Sequence, residues 1–276
     1  MTYSILGDMH THTIYSRHAY STIQENVAAA ATAGLELLGS ADHFSSMLHP
    51  EQDLRNFQYF INTEVWPREW MGVTLLSACE ADIVDLGGGL FGQDIAVPQS
   101  IVGRPFKAER SLYERVTCSL DYVVASVHNT AFTEGATLGR TTDMYVRALE
   151  HPEVFILGHL GRSGVDFDLD AVLMRAKELH KLIEINEHSF ERGSALDAPA
   201  APCRRIAERC AELGVGISVD SDAHIAPEIG RYPRTTKMLE EIDFPEELIV
   251  NRGRDPFVAG LAAAGIELQS RLTERA

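Results

Sequence analysis

The stretch YSILGDMHTH, residues 3–12, shows the pattern that organises this 276-residue chain: a short apolar run ends in polar residues of the kind that bind metals. The run from Tyr3 to Leu6 predicts a strand. The same pattern occurs six more times: Leu35–Leu38 with GSADH, Val73–Ala78 with CEAD, Tyr122–Ala125 with SVHN, Val154–Leu157 with GHLGR, Leu182–Ile185 with NEH, and Val215–Val219 with DSDAH. Near-continuous apolar runs are typical of parallel strands that are covered on both faces.

Helical stretches separate these strands. The segment STIQE, residues 21–25, has a capping-box pattern that opens a helix through Ala33, and Gly34 ends it. The other predicted helices are Asp53–Trp70 as far as Pro67, Ala171–His180, Cys203–Leu213 and Pro256–Arg271. Strands that alternate with helices imply an α/β fold of parallel βα units, and in a closed barrel the functional groups lie at the C-terminal ends of the strands. Because no linker or repeat divides the sequence, we expect one domain.

The charge balance narrows the classes of partner. Lys and Arg number 24 against 40 Asp and Glu, so the net charge is −16. Such a surface repels nucleic acid and anionic membranes unless bound metal ions invert the local field. No apolar run approaches the roughly 18 residues of a membrane span, the N-terminus lacks the basic segment of a signal peptide, and the four cysteines form no CxxC pair. These features predict a cytoplasmic protein with reduced thiols and leave its oligomeric state open.

The placement of the 11 histidines is the most informative feature of the sequence. His10 and His12 are two residues apart on an extended segment, so both rings can reach one metal ion, and Asp222 and His224 repeat this spacing. Glu80 follows a buried strand, where a carboxylate is costly unless it is paired or bound to metal. The full candidate set is His10, His12, His18, His43, Glu80, His128, His159, Asp222 and His224. Such a set suits two or three divalent ions, with imidazole and carboxylate favouring Zn²⁺, Mn²⁺ or Fe²⁺.

These motifs resemble the PHP (polymerase and histidinol phosphatase) family, and above all its stand-alone bacterial phosphatases with trinuclear metal sites. The motifs that carry the resemblance are HTHTIYSRHAYST at 10–22, SADH at 40–43, INTEVWPR at 61–68, EAD at 80–82, SVH at 126–128, GHLG at 158–161, EIN at 184–186 and SDAH at 221–224. The resemblance covers essentially the whole chain. It implies a single PHP domain over residues 1–276, folded as a distorted seven-stranded (β/α)7 barrel of the TIM-like type.

The resemblance also implies how the ligands divide among three ions. The implied sets are His10, His12, Glu80 and Asp222 for one ion, Glu80, His128 and His159 for a second, and His18, His43 and His224 for a third. The chain departs from the family pattern at Leu160, at Asp220 and in NEHSF at 186–190, where the family often has proline, glycine and small polar residues. These departures spare the ligands and reshape the rim of the pocket, so the substrate stays open.

Other polar residues are candidates for substrate binding and catalysis. A phosphate monoester would favour an arginine fork, and the candidates are Arg162, Arg192 and Arg17. His188 is a candidate for binding the substrate or protonating the leaving group. Together with Glu80 and Asp222, His188 completes the set of candidate catalytic residues.

Two aspartates are expected to orient metal ligands through hydrogen bonds. Asp42 would act on His43 or on another ligand, and Asp220 would act on His224. The alternative for Asp220 is an ordinary aspartate in a turn.

The expected function is a metal-dependent phosphatase that cleaves small phosphate monoesters with a metal-activated hydroxide. Three alternatives remain: a PHP-type phosphodiesterase or nuclease, an amidohydrolase-like enzyme acting on lactones or amides, and a metal-binding barrel without catalysis. The amidohydrolase class usually bridges its metals with a modified lysine after the fourth strand, whereas this chain has SVHN there and Glu80 in the bridging place.

Overall fold

In the computed structural model, which describes residues 3–190 and 200–271, the strands include much of the polar sequence that follows each apolar run. They are Gly7–Thr11 (β1), Leu37–Phe44 (β2), Glu69–Trp70 (β3), Val73–Asp82 (β4), Tyr122–Ser126 (β5), Val154–Leu157 (β6), Leu182–Asn186 (β7) and Ile217–Asp220 (β8). All residues of β2 and β4 are buried, polar ones included. The candidate ligands on these strands are therefore shielded from bulk water.

Seven of the strands form one parallel sheet, in the order β1-β2-β4-β5-β6-β7-β8, and β3 pairs antiparallel with β4. The two edges of the sheet meet where Thr11 bridges Ala223, and the backbone N–H of His12 donates to the Ala223 carbonyl at 2.9 Å. The sheet is thus a nearly closed, distorted barrel, which confirms the expected fold class. Because parallel strands all run the same way, their C-terminal ends open on one face.

Seven α-helices within the described ranges connect these strands. They are Ile23–Ala33 (α1), Leu112–Thr117 (α2), Leu138–Glu150 (α3), Leu169–Glu178 (α4), Ala200–Leu213 (α5), Pro233–Glu241 (α6) and Arg254–Ala263 (α7). The predicted capping box is present at α1, where Thr22 and Glu25 exchange hydrogen bonds and Gly34 ends the helix with a φ of 77°. α2, α3 and α6 have no counterpart among the predicted helices.

The predicted helix at Asp53–Trp70 is wrong. This segment contains two short 3₁₀ turns, at Gln58–Phe60 and Thr63–Val65, and ends in the strand β3. Phe57 and Phe60 pack edge-on against Phe44, with ring centroids 5.1 and 5.9 Å from it. The free energy gained by burying these aromatic rings against the barrel outweighs the weak helical propensity of the segment.

Two further element boundaries differ from the predictions. The expected strand at Tyr3–Leu6 is irregular, and strand pairing begins at Gly7, which lies opposite Leu37. Tyr3 instead anchors its segment by donating a hydrogen bond to the Phe244 carbonyl at 2.7 Å.

The last helix ends at Ala263, because Gly265 takes a left-handed φ of 77°. The chain beyond it runs back to the barrel, where the buried Arg271 side chain pairs with Asp121.

The interior of the barrel is apolar away from the candidate ligands. Met9, Leu37, Leu76 and Tyr122 belong to one buried cluster, and Phe257 of α7 packs into it. All four cysteines are free, and three of them are buried. None of the helices in the described part of the chain combines the length and apolarity needed to cross a membrane.

Gly39 in β2 leaves no room for a side chain. A Cβ there would lie 2.0 Å from the Tyr122 hydroxyl oxygen and 2.6 Å from the Met9 carbonyl oxygen. We therefore expect Gly39→Ala to lower the free energy of unfolding by about 1–3 kcal/mol or more, through overpacking. Urea denaturation measures this change. Gly139→Ala in α3 is the control, because a Cβ there meets no atom within 4 Å; an equal loss in both variants would contradict the steric argument.

Candidate metal centre

The C-terminal ends of the strands bring together the whole set of candidate ligands. His10 lies on β1, and His43 and Glu80 are directly paired across β2 and β4. The remaining members lie in the connections that follow the strands: His12, His18, His128, His159, Asp222 and His224. Side chains separated by up to 214 positions thus meet at one end of the barrel, as the strand-end pattern predicts.

Glu80 stands at the centre of this cluster. Its Oε1 atom lies 2.8 Å from His159 Nε2 and 3.4 Å from His128 Nε2. Its Oε2 atom lies 2.6 Å from His43 Nδ1 and 3.4 Å from His10 Nε2. Oε2 also lies 3.7 Å from His12 Nε2. One carboxylate therefore faces five imidazoles, two at Oε1 and three at Oε2, which is the arrangement that a bridging carboxylate needs.

Asp222 faces the first histidine pair from the other side. Its Oδ1 atom lies 2.9 Å from His12 Nε2 and 3.8 Å from His10 Nε2. The Asp222 backbone takes a left-handed φ of 57°, a conformation that aspartate tolerates better than most residues. The turn after β8 thus presents its carboxylate to the centre.

His18 and His224 complete the cluster at its more exposed side. His18 Nε2 lies 3.2 Å from His43 Nε2, and the His18 ring stacks on His224 with centroids 4.8 Å apart. The His12 and His224 ring centroids are 4.3 Å apart. The outer histidines are therefore continuous with the buried part of the centre.

Three overlapping groups within the described residues have ligand atoms close enough to share an ion. Within each group these atoms all lie within 4.8 Å of one another, and the groups are His10, His12 and Asp222; His43, Glu80 and His128; and His12, His43 and His224. They partly match the sets that the family resemblance implies. His43 belongs to two of the groups, whereas His18 and His159 belong to none of them.

Hydrogen bonds fix which ring nitrogen faces the centre. His10 donates from Nδ1 to Glu184 Oε1 at 2.8 Å, and His128 donates from Nδ1 to Asp82 Oδ1 at 2.7 Å. His224 donates from Nδ1 to the Asp222 carbonyl at 2.8 Å. Because carboxylate and carbonyl oxygens can only accept, these three rings carry a proton on Nδ1 and present Nε2 to the centre.

The two carboxylates Glu184 and Asp82 have no place in the predicted site. Both lie in quoted motifs, EIN and EAD, and both are buried. Glu184 also accepts the backbone N–H of His159 at 2.6 Å, so it supports two candidate ligands at once. The signal that could have identified them is a second carboxylate on a buried strand, which carries a desolvation cost unless it has a partner.

The two aspartates expected to orient ligands behave differently from each other. Asp42 acts through a relay: Ser16 donates its hydroxyl proton to Asp42 Oδ1 at 2.7 Å and lies 3.0 Å from His12 Nδ1. Since that hydroxyl proton is used, the His12 ring is the donor, and Asp42 orients His12. Asp220 instead accepts the backbone N–H of Met9 at 2.7 Å. It contacts the neighbouring strand and does not orient His224, so that expectation is wrong.

Electrostatics keep the central carboxylates ionised. Burial raises the pKa of Glu80, but the surrounding histidines, led by His128, outweigh it and hold that pKa well below its usual range. Burial likewise raises the pKa of Asp222, and the Arg162 guanidinium with nearby histidines holds it well below its usual range. Both groups are thus negatively charged at neutral pH and available to cations.

The histidines divide into two electrostatic classes. Burial lowers the pKa of His12 well below its usual value and lowers those of His18 and His159 to about 4, so these rings are neutral at pH 7. Burial also lowers the pKa of His128, but carboxylates, led by Glu80, outweigh it and raise that pKa to about 9. A metal ion at His128 would therefore replace a proton.

The donor set fits divalent metal ions. His10 Nε2, His43 Nδ1 and Glu80 Oε2 are buried and have no hydrogen-bond partner among the described residues, although all three face the same space. Buried polar atoms are normally satisfied, so such a cluster points to a missing partner. Imidazole and carboxylate donors without thiolate match Zn²⁺, Mn²⁺ or Fe²⁺.

The candidate substrate-binding residues fall in different places. Arg162 pairs with the carboxylate of Asp222 and donates to Asn186 Oδ1 at 3.2 Å, so it lies at the centre. Arg17 donates instead to the Leu48 carbonyl at 3.3 Å, and its Nη1 atom lies 2.8 Å from His49 Nδ1. Arg17 is thus engaged with a neighbouring loop. Arg192 lies outside the described residues.

His188 lies beside the outer ligands. Its ring meets the His224 ring edge-on, with centroids 5.9 Å apart. It is half-buried and lines a cavity next to the centre. This position agrees with a role near the substrate, and His188 is not one of the candidate metal ligands.

Sequence comparisons identify a matching domain family and similar proteins. The model of the PHP domain family matches residues 8–198. A probable phosphatase from Clostridium botulinum is 37% identical over 262 residues, which cover 94% of this chain and 96% of that protein. A probable phosphatase from Clostridium acetobutylicum is 35% identical over 260 residues, with the same coverage of 94% and 96%.

A similar fold is present among solved structures. The histidinol phosphate phosphatase of Lactococcus lactis, crystallised with zinc, L-histidinol and phosphate, superposes with a TM-score of 0.55. The alignment has 16% identity and covers 87% of this chain and 95% of that chain. At this identity the likeness concerns the fold.

Proposed function

The chain belongs to the PHP domain family, and we propose that it is a metal-dependent phosphatase that hydrolyses small phosphate monoesters. The observation that carries the proposal is the position of Glu80, whose two carboxylate oxygens face five imidazoles between them. The names of the relatives, which are probable phosphatases, support the same activity.

The proposed ligands are the nine residues already named, and Glu80 is the proposed bridge between two ions. Two or three divalent ions bound there would supply positive charge for a phosphoryl group and a nucleophilic water at neutral pH. Glu184, Asp82 and Ser16 keep three of the rings in the orientation that binding requires. We assign the whole chain, residues 1–276, to this single domain, and its four free cysteines suit a cytoplasmic location.

Two further residues have proposed roles toward the substrate. Arg162 is held at the centre by Asp222 and Asn186, where its guanidinium would bind the phosphoryl oxygens. His188, whose ring meets that of His224, would give a proton to the departing alcohol oxygen. The complex of the Lactococcus lactis phosphatase with L-histidinol and phosphate supports a small substrate for this fold.

A phosphate-release screen tests the proposal. Protein reconstituted separately with Zn²⁺, Mn²⁺ and Fe²⁺ is assayed on a panel of monoesters and diesters, and its metal content is measured by elemental analysis. We expect monoester hydrolysis that chelation abolishes, with two or three ions per chain. Preferential cleavage of diesters would favour a phosphodiesterase or nuclease. Hydrolysis of lactones or amides without phosphate release would favour the amidohydrolase alternative, and active protein with fewer than two ions would contradict the multinuclear centre.

A further inference from the structure

A cavity of about 300 Å³ lies directly beside the candidate metal centre. It is bounded by the segment after β7 and by the loop that leads into α6. Its lining residues are Glu187, His188, Ser221, Glu228, Arg231, Pro233 and Arg234. His188 belongs to the wall of the cavity and also contacts the outer ligand His224. A molecule whose phosphate lies at the centre would therefore extend into this cavity.

The loop on the far side of the cavity is anchored at three points. The Gly230 N–H donates to Asp8 Oδ2 at 2.9 Å, and the buried Tyr232 hydroxyl donates to the Gly7 carbonyl at 2.9 Å. The third anchor is the Glu187 carboxylate, which accepts the N–H groups of Arg234 and Thr235 at 3.1 and 2.8 Å. The backbone that carries the two arginines of the cavity is thus held in place before any ligand binds.

The cavity wall holds charged groups of both signs. Glu187 is buried, and its carboxylate is used by the N-terminal N–H groups of α6. Arg231 lies on the anchored loop and Arg234 in the first turn of α6, and both are exposed. Within the described ranges, the Arg231 guanidinium has no hydrogen bond or ion pair, and Glu228 is the one other carboxylate of the lining. The lining thus holds two guanidinium groups and two carboxylates. Because the Glu187 carboxylate already accepts two backbone N–H groups, the Arg231 guanidinium is left open to an anionic ligand.

We infer that this cavity is a subsite for the leaving group of the substrate and that it selects leaving groups with a second anionic group, such as a carboxylate. Arg231 is the principal contact, and Arg234 lies near it at the start of α6. His188 lines the cavity and its ring meets that of His224 with centroids 5.9 Å apart, so the cavity adjoins the centre and a leaving group would enter it directly. The inference rests on the proposed function, because the phosphate must lie at the metal centre.

Three phosphonates of matched size test this inference by binding alone, since their P–C bond is not hydrolysed. They are 3-phosphonopropionate with a carboxylate tail, propylphosphonate with an uncharged tail and 2-aminoethylphosphonate with a cationic tail. Calorimetry on the metal-reconstituted protein measures each affinity. We expect the carboxylate compound to bind roughly tenfold more tightly than propylphosphonate, as for one charge-assisted contact at a partly exposed rim.

Arg231→Ala should remove most of this preference. Lys237→Ala is the matched control, because it removes a cation from the following helix, α6, outside the cavity lining, and it should keep the preference. Equal affinities for the three phosphonates, tighter binding of the amine, or no binding at all would overturn the inference. So would an unchanged preference in Arg231→Ala.

The two proposals can fail separately. Phosphate release from monoesters with equal phosphonate affinities would leave the phosphatase proposal standing and remove the anionic subsite. The carboxylate preference without phosphate release from any ester would support the subsite and contradict the phosphatase activity.

Discussion

Replacing Glu80 with alanine should strip the centre of metal and lower kcat/KM for a phosphate monoester by roughly a thousandfold or more. The Glu80 carboxylate faces His159 and His128 with one oxygen and His43 and His10 with the other. Its loss would leave these four rings without the charge that draws cations between them. Elemental analysis and steady-state kinetics on the same preparation measure both effects.

His18→Ala is the matched comparison for this variant. His18 is exposed at the outer side of the cluster, where its Nε2 atom contacts that of His43 at 3.2 Å. It serves at most one ion, so this variant should lose less metal and less activity than Glu80→Ala. A larger metal loss in His18→Ala would show that the bridging assignment of Glu80 is wrong.

Arg162→Ala should lower kcat/KM for a phosphate monoester by roughly ten- to several-hundredfold, at about 1.4 kcal/mol for each factor of ten. The guanidinium lies against Asp222 and Asn186 and can offer a bidentate contact to a phosphoryl dianion. Arg162 is not a metal ligand, so metal content should fall far less than activity. Kinetics with metal assayed alongside test both parts of this expectation.

A neutral ester separates two roles of Arg162. If Arg162 binds the phosphoryl group, Arg162→Ala should lower kcat/KM much less for a neutral ester that the enzyme turns over than for a monoester dianion. An equal loss on both substrates, together with a loss of metal, would mean that Arg162 acts by holding Asp222 in place. This second outcome has a structural basis, because Arg162 and Asp222 form an ion pair.

Much of the fold could be predicted because short-range rules are strong where apolar runs and caps are clear. The runs at Val73–Ala78 and Val154–Leu157 are strands, and Thr22, Glu25 and Gly34 delimit α1 as expected. Prediction failed where packing decides the conformation. The aromatic residues of Asp53–Trp70 are buried against Phe44 in irregular turns, which no local periodicity encodes.

The same distinction between local sequence rules and contacts of distant segments applies to the candidate site. His10 and Glu80 could be chosen from the sequence because they end buried strands, where their polarity is costly unless it is used. Glu184 could not be assigned, since its reason for being buried is a contact with His10, 174 positions away along the chain. Arg17 and Arg162 are both candidates for substrate binding in the sequence, yet Arg17 contacts His49 and Arg162 contacts Asp222.

The sequence by itself thus determined the parallel strands and the gathering of His, Asp and Glu at their C-terminal ends. Both follow from local rules, namely the spacing of apolar residues and the common direction of parallel strands. Only the tertiary structure decided which ring nitrogen faces the centre, which arginine reaches it, and that Glu187 holds a loop carrying Arg231 beside it. These outcomes depend on contacts between distant segments, whose free energies are set by burial and hydrogen-bond geometry once the barrel has closed.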